Sequence, residues 1–291
     1  MAGNGRLHPA TEVGRVHYTV ADLERVAAFY QEVLGFHLLW RDGGEAALGA
    51  PGRELLRLTQ VPGARRVRGH TGLYHTAFLL PTRWDLAHMV RRLLEVRAPL
   101  HGTSNHGTHL AIYLPDPEGN GIELAWDFPK EVWPMRDDGK MDYLRAPREG
   151  VNLPELLEEL ERDPAEWPGL PAEAKVGHVH LHVSDLRQTY AFYHEALGFD
   201  VTADIWEMGA LFFAAGGYHH HVGTNVWKGE GAPPPPPGAT GLRYFTLVLP
   251  GGEHLEAAAA RLERAGYRGA ASGDGILFKD PSENGVMLTV P

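Results

Sequence analysis

The stretch RVHYTVADLERVAAFYQEVLGF, Arg15–Phe36, returns as HVHLHVSDLRQTYAFYHEALGF, His178–Phe199. A second motif, DPEGNGIEL at Asp116–Leu124, returns as DPSENGVML at Asp280–Leu288. The chain is therefore a duplication, and its copies differ at two chemically telling places. Arg15 stands where the second copy has His178, and Met287 stands where the first copy has Glu123. Repetition at this scale means that one supersecondary unit has been reused.

Each copy reads as strand, helix and then several strands. In the first, VHYTV alternates faces as a half-buried strand and Asp22 is placed to cap the helix that follows. LERVAAFYQEVLG then carries apolar residues at helical spacing until Gly35 stops it. The second copy predicts the same, with Ser184 or Asp185 as cap and Gly198 as stop. A more degenerate unit follows in each half. YHTAFLLP is a strand, residues 83–96 are helical, and HLAIYLPDPEGNGIELAW is a hairpin with an Asp/Pro/Gly/Asn turn. Its counterparts are LRYFTLVLP, a helix over 253–265, and GILFKDPSENGVMLTV. The reading is an α+β chain of four modules in two pairs. Residues 1–128 hold modules 1 and 2, 129–174 form a linker with one short helix, LPELLEELER, and 175–291 hold modules 3 and 4. The run Pro233–Pro237 predicts a stiff polyproline II segment acting as a loop brace.

Composition narrows the function. The chain has 291 residues, 43% of them hydrophobic and 22% charged, and carries a formal net charge of −10. It lacks the clustered Lys/Arg that backbone binding to nucleic acid requires. No apolar run is long enough to span a bilayer, so neither nucleic acid nor a membrane is an expected partner. With no cysteine there is no disulfide, no thiolate metal site and no cysteine nucleophile, and a cytoplasmic location is expected. Any metal must be held by His, Asp or Glu. His178, His180 and His182 share one face of a strand, His75 opens another, and Glu123 lies in GIELAW, where an inward carboxylate needs a partner or a metal.

FYxxxLGF and DPxGNxIEL resemble the signatures of the vicinal oxygen chelate superfamily, which includes glyoxalase I, fosfomycin-resistance proteins and extradiol ring-cleaving dioxygenases. The resemblance covers nearly the whole chain outside the linker. It implies βαβββ modules that cup a metal in pairs, with ligands on the first and last strands. Carried over residue by residue, the first-strand position selects Arg15, His75, His178 and Tyr244, and the last-strand position selects Glu123 and Met287. Pairing within each half leaves both sites short of three ligands unless His17 replaces Arg15. Pairing module 2 with module 3 brings His75, Glu123 and His178 together and leaves modules 1 and 4 with a metal-free cup.

Two His and one carboxylate are the ligand set of non-haem Fe(II) oxygenases. Glyoxalase I has a second glutamate where this chain has His219, His220 and His221, so the resemblance favours the dioxygenase branch, nearest the bacterial four-module catechol 2,3-dioxygenases. It implies Fe(II), or Mn(II), as cofactor, an aromatic diol and O2 as substrates, and a homo-oligomer. One of His219, His220 and His221 is expected to serve as acid and base, and Tyr113 to hydrogen-bond a substrate oxygen. His106, with His109 beside it, is expected to orient substrate or ligands, and Trp206 and Trp227 to wall the ring. The competing expectations are a metal-dependent isomerase or thiol transferase of the glyoxalase type, and a non-catalytic small-molecule binder.

Overall fold

A computed structural model describes residues 5–147, 149–273 and 275–291. Module 1 comprises β1 (Glu12–Val20), α1 (Leu23–Glu32), β2 (His37–Asp42), β3 (Glu45–Ala50) and β4 (Arg53–Gln60). Module 2 comprises β5 (Gly72–Leu79), α2 (Arg83–Glu95), β6 (Gly102–Asn105), β7 (His109–Pro115) and β8 (Gly121–Asp127). The linker contains α3 (Leu153–Arg162). Module 3 follows with β9 (Lys175–His182), α4 (Leu186–Tyr190, continuing as π-helix over Ala191–Leu197), β10 (Asp200–Ile205), β11 (Ala210–Ala214) and β12 (Val222–Asn225). Module 4 has β13 (Gly241–Val248), α5 (Gly252–Arg264), β14 (Ala270–Ser272), β15 (Gly275–Lys279) and β16 (Gly285–Thr289).

The local signals act as read. Asp22 accepts from the Arg25 backbone N–H and Asp185, rather than Ser184, accepts from that of Gln188, each satisfying a free donor at a helix start. Gly35 and Gly198 follow the helices at φ +69° and +101°, where a side chain would be strained. In the repeated turn, Asp116 accepts from the N–H groups of Glu118 and Asn120, and Asp280 does the same for Ser282 and Asn284. The DPxxN motif is thus a side-chain cage that builds a turn. The short β6 and β14 were not anticipated, and the second-copy helix winds more widely than a regular α-helix after Tyr190.

The two sheets are built across the halves. One runs β14-β15-β16-β13-β1-β4-β3-β2 and the other β10-β11-β12-β9-β5-β8-β7-β6. Module 1 thus shares a sheet with module 4, and module 2 with module 3, through the antiparallel pairs β1–β13 and β5–β9. Contacts within a half tie the modules in the other direction. Glu118, in the turn of module 2, accepts from the N–H groups of Ala21 and Asp22 in module 1, and Ser282 of module 4 bonds Ser184 of module 3. The Tyr18 and Thr76 hydroxyls meet at 2.6 Å between the sheets. One continuous core includes Val16, Phe78, Val179 and Phe245, all fully buried. Each such side chain contributes about 1.5–3 kcal/mol by leaving water. No helix among the described residues is long and apolar enough to cross a membrane.

Residues 129–174 do more than connect. Helix α3 packs on α2 through Arg83, which bonds Glu155 at 2.8 Å and Glu159 at 2.7 Å. Ahead of it, Trp133 and Met141 make a small separate core with Ala203. The polyproline run joins β12 to β13, and its Pro233 carbonyl accepts from the Thr71 N–H, consistent with a brace.

Candidate metal centre

Strand register decides which side chains meet. On β5 and β9, His75 lies opposite His180 and Ala77 opposite His178, while β8 runs parallel to β5 with Glu123 beside Ala77. Neighbouring strands lie about 4.8 Å apart. His75, His178 and Glu123 therefore converge on the concave face, and their ligand atoms all lie within 4.8 Å of one another. Glu123 Oε2 is 2.9 Å from His75 Nε2 and 3.4 Å from His178 Nε2. Its other oxygen, Oε1, accepts from His109 Nε2 at 2.8 Å.

The electrostatics of this cluster are lopsided. Burial alone would raise the Glu123 pKa, but His178 and His75 outweigh it and hold the carboxyl well below its usual range. Burial depresses His178 to about 4, against the pull of Glu123, and brings His106 to about 3. His180 and His220 are held well below 6.5, again chiefly by burial. The result is a buried anionic carboxylate beside imidazoles, His178, His180 and His220, that burial disfavours from charging. His75 Nε2 is close to Glu123 yet misaligned for a hydrogen bond, so this buried nitrogen has no partner. A buried ring nitrogen without a partner and a buried carboxylate, with two imidazoles converging on it, suit a divalent cation.

A cavity of about 330 Å³ opens over the cluster. For scale, roughly 150 Å³ accommodates benzene. Tyr113, His106, His220 and Trp227 line it, together with Tyr74 and Phe212. The Tyr113 hydroxyl meets His106 Nε2 at 2.7 Å, and burial, with Glu123 nearby, keeps that phenol protonated. Trp206 does not line the cavity. It sits on a 3-10 turn after β10, 43% exposed, with its ring near Tyr190.

The three consecutive histidines have three different environments. His220 lines the cavity, its ring centroid 4.0 Å from that of His178. His219 lies behind it, with Nε2 3.1 Å from Asp127 Oδ1 and Nδ1 2.8 Å from His220 Nδ1. His221 turns away, stacking on Phe199 and accepting from the Ala215 N–H through Nδ1. Asp127 therefore orients the pair. A carboxylate accepts only, so His219 carries its proton on Nε2 and accepts through Nδ1. His220 must then donate from Nδ1, which leaves its Nε2 lone pair free.

Sequence reasoning missed Asp127 and Tyr143. Asp127 was legible in principle, because positions 123, 125 and 127 share a strand face. Tyr143 comes from the segment taken as linker, and its hydroxyl lies 3.2 Å from His220 Nδ1. In the other cup, Arg15, Tyr244 and Met287 take the places of His178, His75 and Glu123. Thr246 pairs with Met287 as Ala77 pairs with Glu123, and Arg15 and Arg57 approach Glu54 at 3.5 and 2.7 Å. His17 does not restore a site there, since it bonds Thr59 at 2.7 Å.

The chain belongs to the Glyoxalase/Bleomycin resistance protein/Dioxygenase superfamily, whose model matches residues 12–124 and 175–288. Among individual relatives it is 42% identical to the Catechol-2,3-dioxygenase of Bacillus subtilis (strain 168), over 94% of this chain and 95% of that protein. It is also 31% identical to Biphenyl-2,3-diol 1,2-dioxygenase 3 of Rhodococcus globerulus, over 36% of this chain and 57% of that one. Glyoxalase I from Zea mays shares the fold, with a TM-score of 0.59 at 16% identity, over 96% of this chain and 92% of the maize chain.

Proposed function

We propose that this protein is an extradiol dioxygenase that opens catechol-type rings with Fe(II) and O2. The observation that carries the reading is the convergence of His75, Glu123 and His178 in a cavity sized for one aromatic ring. The 42% identical catechol dioxygenase supports the same class. Among the described residues, Glu123 is the single carboxylate lining this cavity, which fits a two-His, one-carboxylate oxygenase better than an isomerase with two glutamate ligands.

His75, His178 and Glu123 would hold the metal, which supplies the one-electron chemistry that reaction with O2 requires. The chain's residues do the rest. His109 fixes Glu123 Oε1, so that Oε2 faces the two imidazoles. His220 takes a diol proton at Nε2, the nitrogen left free by the Asp127–His219 chain, and later returns it. Neutral imidazole suits this role because burial keeps His220 unprotonated before substrate arrives. Tyr113, steadied by His106, hydrogen-bonds a substrate oxygen, and Phe212 and Trp227 face the ring. Tyr143 covers His220 and restricts water.

The test is aerobic assay of Fe(II)-loaded protein with catechol, followed by absorbance of the yellow ring-fission product. No turnover across several catechols with iron bound rejects the reading. Activity on a glutathione hemithioacetal with Ni(II) or Zn(II) would replace it with the isomerase.

A further inference from the structure

A second, larger cavity of about 890 Å³ adjoins the first between the starts of β5 and β13, and the two share Tyr74, His75 and Tyr113. Its chemistry differs. Arg66, Arg68, Lys228 and Arg243 line it, all exposed, and none makes an ion pair with another described residue. The lining carboxylate is Glu283, which Lys279 engages at 2.5 Å. Four cations without an ion pair among the described residues, around one opening of a chain of net charge −10, make a local positive potential there.

The walls are also held open. Pro234–Pro237 form one side, and the Thr71 N–H to Pro233 carbonyl and Thr240 N–H to Arg65 carbonyl bonds, at 3.0 and 3.1 Å, lash that side to the Arg65–Thr71 segment. The Arg66 guanidinium lies against the turn at Gly119. A basic chamber opening beside a metal-ligand cluster is placed to attract an anion attached to whatever occupies the cluster.

We propose that this chamber receives an anionic side chain of the substrate, so that the preferred substrates are catechols bearing a carboxylate on a short aliphatic arm. The diol lies at His75, Glu123 and His178, and the arm passes Tyr74 and Tyr113 to reach the cations. This assignment rests on the catechol reading of the metal centre.

The experiment is anaerobic titration of the Fe(II)-loaded protein with 3-(3,4-dihydroxyphenyl)propionate and with 4-propylcatechol, followed by aerobic turnover of both. The carboxylate is expected to bind about tenfold more tightly at low salt, as two or three partly screened charge contacts provide. That advantage should shrink in 0.5 M salt, about three times the physiological level. It should also shrink in Arg66→Ser/Arg68→Ser, with 4-propylcatechol unaffected. Equal affinities, or an advantage that survives the double substitution, overturn the proposal alone, because 4-propylcatechol is still bound and turned over. Failure to bind or turn over either compound overturns the catechol reading and the proposal with it.

Discussion

His109 and Glu123 share a hydrogen bond of 2.8 Å in which the imidazole Nε2 donates to Oε1. The bond commits one carboxylate oxygen and leaves Oε2 to face His75 and His178. Glu123 is 1% exposed, so its charge has no solvent to turn to. Glu123→Gln keeps the shape and removes the charge. It is expected to cost iron binding and to lower kcat at least about 100-fold, the upper end of what the loss of a mere outer partner costs. Iron content by elemental analysis and the ring-fission assay check both; retained activity rules out the ligand role.

Asp127 bonds His219, which bonds His220 at the cavity, and it also lies close to His109, the partner of Glu123. Asp127→Asn weakens the hold on the tautomer without removing a metal ligand. The expected result is a kcat about 10- to 100-fold lower, with iron content unchanged and KM for the diol within about threefold. A variant that loses iron instead would show that Asp127 supports the ligands and not the acid–base pair.

Gly121 and Gly285 allow the last strand of modules 2 and 4 to approach the first, since a Cβ would come within 2.0 Å of the Tyr74 carbonyl oxygen or 2.2 Å of the Arg243 carbonyl oxygen. Either Gly→Ala change is expected to cost about 2–3 kcal/mol by overpacking. Only Gly121→Ala should also weaken iron binding, because it displaces Tyr74 and hence His75. Thermal unfolding and iron titration of the two variants separate these effects; equal loss of iron by both would refute the division into one metal cup and one structural cup.

His17 lies in the structural cup, and burial, with Arg243, Arg57 and Arg15 nearby, lowers its pKa to about 3. In the unfolded chain it takes up a proton near pH 6.5. The unfolded state therefore binds the extra proton between pH 6.5 and 3, so the stability it confers is complete above 6.5 and is lost as pH falls through that window. The urea midpoint of the native protein should drop more between pH 7.5 and 5 than that of His17→Gln. Parallel curves would show that His17 does not titrate as its setting requires.

The duplication carried most of the fold. Asp22, Asp185, Gly35 and Gly198 act within a turn of their own position, so helix starts and stops were legible from short stretches. Period-2 alternation likewise put His178, His180 and His182 on one strand face. The crossed arrangement was legible for a different reason. The positions that the family resemblance selects keep His or Glu only in modules 2 and 3, and an unpaired buried Glu123 would be costly. Trp206, expected to wall the ring, lies instead on a 3-10 turn after β10 and does not line the cavity.

By itself, the sequence determined four modules, their order and the turns that close them, because capping, periodicity and glycine requirements are local, while the three candidate ligands came from the family resemblance. Only the tertiary structure decided which of three adjacent histidines enters the cavity. His219, His220 and His221 precede β12 in irregular backbone, and their directions are set by distant partners: Asp127 for His219, Tyr143 and His178 for His220, and Phe199 for His221. The same is true of Tyr143 and of the basic chamber, whose walls come from segments more than a hundred residues apart and exist only once both sheets have closed across the halves.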